Sequence, residues 1–491
     1  MSGVGEIWRA VGDFGPFQKW LVLLTLFPCL SVAFHQFCQL FMVQHVPHRC
    51  DTSWIRAIGP NLTEEERLNL TLPRDADGAY EQCSMYSPVD WDLGSIMLYG
   101  LNATEKCSNG WVYPSAQPPS LLTEFDLVCD RKDLNDISQS IYMLGLFLGS
   151  MIFGPLSDRI GRRPVILISI FLQGLFGVGI AFVPHFYVYM AFRCVVGASV
   201  SGITMTILAV LISHCCFAIG QMILAGLSYG IRNWRLLEIA GSAPIFALFF
   251  YIWVLPESAR WLVTKGRIEE AKKVLQKAAS INKRTISPEL LELTLYLLVA
   301  NRYACSVPLC PSFRFVNSLV YYGLSLNVTN FGLDIYLTQL AFGAVEIPAR
   351  IGCIFLLQWL GRKKSQAVLL LLSGLVCLII TGIPEDQPVT TTVLAVLGKF
   401  AASASFSTSY VYSAELFPTV VRADSGGRAG GGAPHCGGRG GGPAPVPVVV
   451  IPLVLPRGWR ESRSGRCFAC LPLPSPGKGR CSEPRPLAFG F

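Results

Sequence analysis

The stretch GPLSDRIGRRP, residues 154–164, joins two long apolar runs through a short basic turn. Three arginines and one aspartate crowd this turn, whereas the flanking runs, 141–153 and 165–183, contain no charged residue. A turn between two membrane-spanning helices has to stay in water while both helices lie in lipid, and lysine and arginine collect in cytoplasmic turns. The stretch therefore predicts a cytoplasmic turn between two transmembrane helices.

The composition of the whole chain agrees with a membrane protein. Of its 491 residues, 52% are hydrophobic and 15% are charged, against roughly 25% charged residues in ordinary soluble domains. The net charge of +8 would suit nucleic acid, but the basic residues lie mainly in the loops between apolar runs and in the tail. We therefore predict an all-α, polytopic protein of the lipid bilayer with no nucleic-acid partner. The spans contain no nucleophile–base pair or metal-ligand set, so we predict neither an enzyme nor a cofactor.

Ten apolar runs are long enough to be transmembrane spans. They cover residues 20–43, 138–156, 164–183, 186–203, 217–231, 236–255, 313–328, 335–360, 367–383 and 389–412. Basic turns follow spans two, six and eight, which predicts that these turns and the N-terminal residues 1–19 are cytoplasmic. Arg232 and Arg235 are an exception, since they fall in a turn on the other side.

The hydrophilic segment 44–135, between spans one and two, is predicted to be a large extracellular loop. It contains an even number of cysteines and three N-x-Thr glycosylation sequons, a combination that indicates an oxidising compartment. The pairing of the cysteines stays open. The disulfide candidates are Cys50, Cys83, Cys107 and Cys129, and the glycosylation candidates are Asn61, Asn69 and Asn102.

Several spans contain polar or charged residues, which are costly in lipid and therefore face a cavity or another helix. In span one, His35 and Gln36 fit either a cavity or a helix–helix hydrogen bond. In span four, Arg193 is either a cavity charge or half of a buried pair, and we favour the cavity. In span eight, Arg350 is a candidate anion contact, although Glu346, four residues earlier on the same helical face, is able to neutralise it.

A second Gly-Arg-basic turn, LGRKKSQ at 360–366, repeats the first after six further spans. This repeat predicts two six-helix halves that face a cavity at the membrane midplane. The first half is predicted to cover 20–255 and the second 313–422, with a cytoplasmic linker at 256–312. The second half is incomplete, because the Gly-, Pro- and Arg-rich segment 423–491 is predicted to be disordered. Cys467 and Cys470 in that segment have zinc-like spacing but lack a second ligand pair, so we predict no metal site.

The pattern resembles the major facilitator superfamily and, within it, the organic-ion transporters of solute carrier family 22. The resemblance rests on the cysteine-rich first loop and on GPLSDRIGRRP, PESARWL and ELFPTVVR, each in its expected place, and it covers about residues 12–422. The stretches NWRLLEIAGSAP, YYGLSLNV, FGLDIYLTQLAFGAVEIPAR and SYVYSAELFPT are most similar to the urate- and nicotinate-carrying branch of that family.

The resemblance implies a plasma-membrane carrier that exchanges small organic anions, such as urate and nicotinate, for a counter-anion by alternating access. A planar anion suits a cavity with fixed positive charge and aromatic walls. The residues that the resemblance places in this cavity, together with the span-four arginine, are His35, Gln36, Arg193, Tyr321, Tyr322, Arg350, Lys399 and Phe406.

The resemblance also implies a charge network at the cytoplasmic helix ends that locks the two halves together. Opposite charges at such ends can hold an interface with two stable arrangements. The alternative is an ordinary topology-setting turn, which gives no role to Asp158 because an acid does not set topology. The candidate gating residues are Asp158, Arg159, Gly161, Arg162, Glu257, Arg260, Gly361, Arg362, Glu415 and Arg422.

Three segments depart from the family pattern. Residues 207–215 lack the polar loop expected between spans four and five, residues 290–311 match nothing in the family, and spans eleven and twelve are missing. A non-transporting truncated isoform or gene-model remnant is therefore an alternative to the anion carrier. A cation or zwitterion carrier of the same family is a further alternative. We disfavour it because the charges inside the spans are mainly Arg193, Arg350 and Lys399, and a cation carrier is expected to place acids there.

Overall fold

The computed structural model describes residues 15–44, 46–75, 78–114, 118–206, 210–250, 255–284, 310–331, 333–384 and 387–416. The helices of the first half and its disulfide-bonded segment are α1 (Pro16–Met42), α2 (Ile55–Ile58), α3 (Glu64–Thr71), α4 (Leu93–Tyr99), α5 (Leu121–Glu124), α6 (Asp133–Ile160), α7 (Arg162–Ile180), α8 (Phe186–Thr206), α9 (Val210–Gly230) and α10 (Trp234–Ser242). The remaining helices are α11 (Ala259–Thr264), α12 (Ile268–Ile281), α13 (Cys310–Leu326), α14 (Ile335–Trp359), α15 (Arg362–Thr381) and α16 (Pro388–Leu416). Short 3-10 turns cover Cys129–Arg131, Ala243–Phe250 and Asn327–Asn330.

Eight helices of the described residues are long and apolar enough to cross a membrane: α1, α6 to α9 and α14 to α16. This confirms the predicted polytopic helical architecture. The predicted sixth and seventh spans correspond to shorter helices, because α10 gives way to a 3-10 turn at Ala243 and α13 has 17 residues. The fifth span was predicted to begin at Phe217, which is wrong, since α9 begins at Val210. Residues 213–216, which lie before the predicted start of this span, are within the helix, with Ser213 and Cys216 buried.

The helix surfaces have the polarity expected in lipid. Large apolar side chains point outward, among them Phe355, Trp359 and Leu371, which are all at least two-thirds exposed. Serine, glutamine and charged side chains of the same spans are buried between the helices. A polar residue of a span avoids lipid by facing a neighbouring helix or a cavity. A polar binding site is therefore expected in the interior between the helices.

Glycines set the close packing of the first half. A Cβ atom on Gly145 would lie 2.2 Å from the Cys194 carbonyl oxygen, and one on Gly149 would lie 2.4 Å from that of Ala198. Both contacts join α6 to α8, and small residues at such positions let two helix backbones approach closely in a membrane. The two halves approach in the same way, because a Cβ on Gly343 of α14 would lie 2.6 Å from Met222 of α9.

The segment between α1 and α6 forms a small disulfide-bonded region rather than an extended loop. The strands are β1 (Arg49–Cys50), β2 (Ser84–Tyr86), β3 (Thr104–Lys106) and β4 (Trp111–Val112), and they pair antiparallel as β1 with β4 and β2 with β3. Disulfides join Cys50 to Cys107 and Cys83 to Cys129, so all four candidate cysteines are paired. The sequon residues Asn61, Asn69 and Asn102 are exposed. We call the helix ends next to this region the disulfide end.

A partly exposed carboxylate fastens this region to the helices. Glu124 accepts hydrogen bonds from the Trp234 indole at 2.8 Å and from the Arg235 guanidinium. Arg235 also donates to the carbonyl oxygens of Ala181 and Val183, where α7 ends. Burial opposes the charge of the carboxylate, but the hydrogen bonds outweigh burial and hold the pKa of Glu124 below its ordinary value. The basic residue that broke the charge pattern of the turns therefore has a structural partner.

At the opposite end, a second carboxylate caps a helix. Glu257 accepts hydrogen bonds from the backbone amides of Arg162 and Arg163, the first residues of α7, at 3.0 and 3.3 Å. Gly161 precedes them with φ 106° and ψ 163°, and Gly361 precedes α15 with φ 77° and ψ 166°. This backbone region is essentially restricted to glycine. The two glycine–arginine turns of the sequence are therefore also a repeat of backbone geometry.

Candidate functional site

A cluster of buried charges lies between α13, α14 and α16. The Glu346 carboxylate accepts a hydrogen bond from the Tyr321 hydroxyl at 2.6 Å and pairs with Lys399 Nζ at 2.9 Å. Its second oxygen pairs with the guanidinium of Arg350, one turn further along α14. These four side chains, which we call the central cluster, are at most 2% exposed. Two cations therefore share one carboxylate in a place that water does not reach.

Aromatic rings surround the Lys399 ammonium. Nζ lies 3.5 Å from the centroid of the Tyr321 ring and 5.8 Å from the centroids of Phe37 and Phe342. The faces of such rings attract cations. Because Phe37 belongs to α1, the first half contributes directly to the surroundings of this second-half cation. The charges of the cluster sum to one surplus positive charge enclosed by aromatic walls.

Two buried amides lie on the helices that join the halves. Gln221 of α9 and Gln339 of α14 are fully buried, and neither side-chain amide has a hydrogen-bond partner among the described residues. Gln339 stands one turn before Gly343, the point at which α14 meets α9. A buried amide without a partner costs free energy, on the order of 1–3 kcal/mol per group. Such groups are suited to hydrogen bonds with a ligand.

An aromatic layer around Tyr336 lies at the start of α14, on the disulfide side of the central cluster. The Tyr336 ring stacks on Phe41 at 5.5 Å and meets Tyr229 edge-on at 5.6 Å. Gln44 donates a hydrogen bond to its hydroxyl at 2.6 Å. The partners belong to the first half, so this layer joins the two halves.

A second aromatic layer lies on the opposite side of the cluster. His214 of α9 meets the rings of Phe406 and Tyr410 of α16 at 5.8 and 5.2 Å. Phe406 also lies 5.0 Å from the ring of Tyr321. Phe406, a predicted cavity residue, therefore forms part of the layer that closes the cluster at this end. Tyr322, also predicted, stands edge-on to Tyr321 and packs against the core of the first half.

The predicted cavity residues of the first half lie in a separate cluster. The Arg193 guanidinium donates to Gln39 Oε1 at 2.8 Å, to Gln139 Oε1 at 3.1 Å and to the His35 carbonyl oxygen at 3.2 Å. Its charge also lies 4.7 Å from the centroid of the Tyr142 ring. All of these partners belong to the first half, and the guanidinium ties α1, α6 and α8 together. The role of Arg193 in substrate contact stays a prediction.

The other two first-half residues differ in their surroundings. Gln36 donates to the sulfur of Met143 at 3.7 Å and so joins α1 to α6. The His35 ring lies with Nδ1 3.5 Å from the Glu238 carboxylate. Their roles in substrate contact also stay predictions.

Sequence reasoning missed several polar residues inside the helices, among them His214, Gln221, Glu238 and Gln339. Glu238 corrects the expectation that the charges within the spans are mainly cationic, since both it and Glu346 are fully buried acids. The available signal was the residue type, because a polar side chain within an apolar run indicates a functional or packing role.

The predicted gating residues Asp158 and Glu257 have contacts around the first glycine–arginine turn. Glu257 contacts the turn at Arg162 within the first half, and Trp261 donates to the backbone carbonyl oxygen of Asp158 at 3.1 Å. Arg159 is exposed and Arg362 half-buried at the start of α15. Arg422 and the side chains of Arg260 and Glu415 lie outside the described residues. Locking of the two halves by these charges stays a prediction.

Comparisons with known proteins give the family. The family model described as sugar (and other) transporter matches residues 122–426. Solute carrier family 22 member 13 of Homo sapiens is 47% identical over 454 residues, which cover 86% of this chain and 82% of the relative. The chain belongs to solute carrier family 22. Organic anion transporter 3 of Rattus norvegicus is 36% identical over 450 residues, with 85% of this chain and 82% of the relative covered.

A solved structure supports the fold of this family member. The proton:xylose symporter XylE of E. coli, a major facilitator protein bound to 6-bromo-6-deoxy-D-glucose, matches with a TM-score of 0.54 at 16% identity. The match covers 82% of each chain. Because it belongs to solute carrier family 22 and matches the sugar (and other) transporter family model, the chain is a multi-pass membrane transporter with the major facilitator fold rather than an enzyme.

Proposed function

We propose that this transporter carries small organic monoanions, urate and nicotinate among them, by alternating access. The observation that carries the proposal is the sharing of Glu346 by Arg350 and Lys399. A buried cation without a counter-charge is expensive. One surplus positive charge in a water-free site is therefore best satisfied by a single negative charge on a ligand.

The surroundings of the cluster favour a planar, aromatic anion. Urate and nicotinate are flat heteroaromatic monoanions near neutral pH, and aromatic rings prefer to pack against such faces. The rings of Tyr321 and Phe406 are available on one side and that of Phe37 on the other. The amides of Gln221 and Gln339 supply donors and acceptors for ring nitrogens and carbonyl oxygens.

Charge alone discriminates against the alternative cargo. An organic cation would have to occupy a cluster that already has a surplus positive charge, and like charges at such separations repel strongly in a low-dielectric site. Glu346 could attract a cation only after losing both of its basic partners. The buried Glu238 of the first half is balanced by the charge of Arg193, with which it interacts electrostatically, and so adds no net negative charge. These contacts favour an anion carrier.

The two aromatic layers suggest how access alternates. Tyr336 closes the site at the disulfide end, and His214 closes it at the other end. Each layer joins one half to the other, so opening either requires the halves to rotate apart there. If an anion is needed to balance the cluster during this motion, return without cargo is slow and a counter-anion is exchanged. In this arrangement the disulfide end is extracellular, the N-terminus is cytoplasmic, and the protein acts at the plasma membrane.

Uptake in cells tests the proposal. Cells expressing the chain are supplied with radiolabelled nicotinate, urate or tetraethylammonium, and surface biotinylation measures the transporter that has reached the plasma membrane. We expect uptake of the two anions, faster after preloading with unlabelled nicotinate, and reduced uptake for Arg350→Ala. Surface expression without anion uptake, or preferential uptake of tetraethylammonium, would contradict the proposal. Unchanged uptake by Arg350→Ala would remove that residue from the site.

A further inference from the structure

Three metal-ligating side chains meet in the first half, away from the central cluster. They are His35 and Cys38 of α1 and Glu238 of α10, which are at most 1% exposed. One ligand atom of each, His35 Nδ1, Cys38 Sγ and a Glu238 carboxylate oxygen, lies within 4.8 Å of the other two. We propose that these three residues form a binding site for a divalent transition metal of the Zn²⁺ class.

The spacing of the three atoms is close to that of a tetrahedral site. Bonds of about 2.0–2.3 Å to zinc place two tetrahedral ligands roughly 3.3–3.7 Å apart. His35 Nδ1 and Glu238 Oε1 are already 3.5 Å apart. His35 and Cys38 are three residues apart and therefore share one face of α1. A small movement of the Cys38 side chain completes the set.

Two of the three atoms lack the hydrogen bonds that a buried polar group needs. His35 Nδ1 and Glu238 Oε1 are inaccessible to water, and among the described residues they face each other at 3.5 Å without a hydrogen bond to any group. Leaving such groups unpaired is costly. A metal ion between them would satisfy a lone pair on each. The orphaned atoms thus point inward to the same place as the thiol.

The neighbours of the ligands are those of a metal site. The other ring nitrogen of His35, Nε2, lies 3.5 Å from the Ser242 hydroxyl, and metal-bound histidines usually hold their second nitrogen in such a contact. The Arg193 guanidinium lies 3.3 Å from Cys38 Sγ. A coordinated metal deprotonates a thiol outright, releasing one proton.

The donor set selects the metal. One nitrogen, one sulfur and one oxygen suit zinc and its neighbours, whereas calcium and magnesium require oxygen ligands. Three protein ligands leave the fourth tetrahedral position to water. Because the ligands come from α1 and α10, the bound metal would clamp these two helices of the first half. This site takes a cation and shares no residue with the central cluster.

Cobalt absorption tests the site, since tetrahedral Co²⁺ reports thiolate ligation by a near-ultraviolet charge-transfer band. The full chain is purified in detergent, stripped with a chelator and titrated with Co²⁺ and then Zn²⁺. We expect a saturable band at one Co²⁺ per chain that Zn²⁺ abolishes. Cys38→Ser should lose the band, and Ser242→Ala should bind Co²⁺ about tenfold more weakly.

Two control variants separate this site from the other cysteines. Cys353→Ser removes a buried thiol of α14 that lies 3.1 Å from the Thr408 hydroxyl. A double substitution of Cys467 and Cys470 by serine removes the pair outside the described residues. Both controls should keep the band. A wild-type protein without the band, or loss of the band in the double variant, would overturn the proposal.

A failure of Cys38→Ser to fold would not remove the test. Glu238→Gln keeps the size of the side chain and all cysteines but weakens the oxygen ligand. We expect the band to remain with a Co²⁺ affinity reduced at least tenfold, roughly the loss seen when a single supporting contact of a metal site is removed. An unchanged affinity in this variant, or an unchanged band in a folded Cys38→Ser variant, would refute the assignment of the ligands.

Discussion

The carboxylate of Glu346, which Arg350 and Lys399 share, leads to a prediction about two substitutions. Glu346→Gln should be the more damaging to stability, and Lys399→Met the more damaging to transport. Lys399→Met removes one cation and leaves Glu346 and Arg350 as a balanced pair. Glu346→Gln instead removes the only acid and leaves two buried cations without a counter-charge. Both substitutions nearly preserve side-chain volume, and both sites are 0% exposed. The variants therefore differ mainly in the charge that remains buried.

The expected magnitudes follow from that difference. Loss of one partner from a buried ion pair costs about 3–5 kcal/mol, so we expect Glu346→Gln to be strongly destabilised. In Lys399→Met the methionine lies among aromatic rings, where its sulfur makes favourable contacts, and we expect a loss of about 1 kcal/mol or less. For transport the order should be reversed, with Lys399→Met the more strongly affected variant. A charge-assisted hydrogen bond to the substrate is worth about 1.5–3 kcal/mol, which corresponds to roughly a 10- to 150-fold loss of apparent anion affinity in Lys399→Met.

Two measurements on the same preparations check this prediction. Thermal unfolding of the purified variants in detergent gives the order of stability, and concentration-dependent nicotinate uptake, corrected for surface expression, gives KM. Lys399→Arg, which keeps the charge, serves as the matched control for Lys399→Met and should retain part of the affinity. The reasoning fails if Lys399→Met is as unstable as Glu346→Gln, or if its KM for nicotinate equals that of the wild type.

Three further predictions concern the ends of the helices. Gly161→Ala should lower Tm more than Gly361→Ala. Both substitutions strain the backbone by about 1–3 kcal/mol, but only a Cβ at Gly161 meets a carboxylate, Glu257 Oε2 at 2.5 Å. Equal shifts in Tm would contradict this. Tyr336→Phe should raise the labelling of the central cluster by cysteine probes added from the disulfide end, since it removes the hydroxyl that holds this aromatic layer. Tyr336→Ala should raise the labelling further. Identical labelling in the wild type and both variants would refute the role of the layer as a barrier. Protease protection of the disulfide-bonded region should be constant from pH 7.5 to about 5 and fall below about pH 4. The lowered pKa of Glu124 stabilises the folded state above the unfolded value of about 4.3, and this contribution is lost as pH falls through the folded value. Glu124→Gln should reduce the pH dependence to that of the other carboxylates with lowered pKa values, Glu64, Glu66 and Asp92, and an undiminished pH dependence in this variant would be evidence against the contact.

The helical framework followed from the sequence because lipid imposes a simple rule on it. A run of about 20 apolar residues has one stable form in a bilayer, the helix. The charge of the turns then predicts on which side of the membrane each turn lies. The repeat at Gly161 and Gly361 was visible for the same local reason, since its backbone geometry requires glycine. The prediction failed at the start of α9, where the span was placed too late, because small polar side chains also fit between packed helices.

The pairing of the site residues did not follow from the sequence, because it depends on contacts between distant segments. Glu346 was recognised as a local partner of Arg350, since both lie on one helix. Glu346 also forms an ion pair with Lys399, 53 residues away, and this pair depends on how α16 packs against α14. Glu238 was missed because a single acid in a short span gives no spacing signal. Its relation to His35 is visible only once α1 and α10 are side by side.

The two halves differ electrostatically although their turns repeat. In the first half, Arg193 and Glu238 are one cation and one acid, which balance each other. In the second half, the central cluster has two cations and one acid. In the proposed transport cycle, a monoanion is held by the charge of the second half, while the first half contributes Phe37 and the partners of both aromatic layers. It follows that opening either layer moves neutral aromatic surfaces away from the anion and leaves its counter-charge in place. Binding energy from that charge is then available in every state of the cycle, and the difference between states has to come from the aromatic layers.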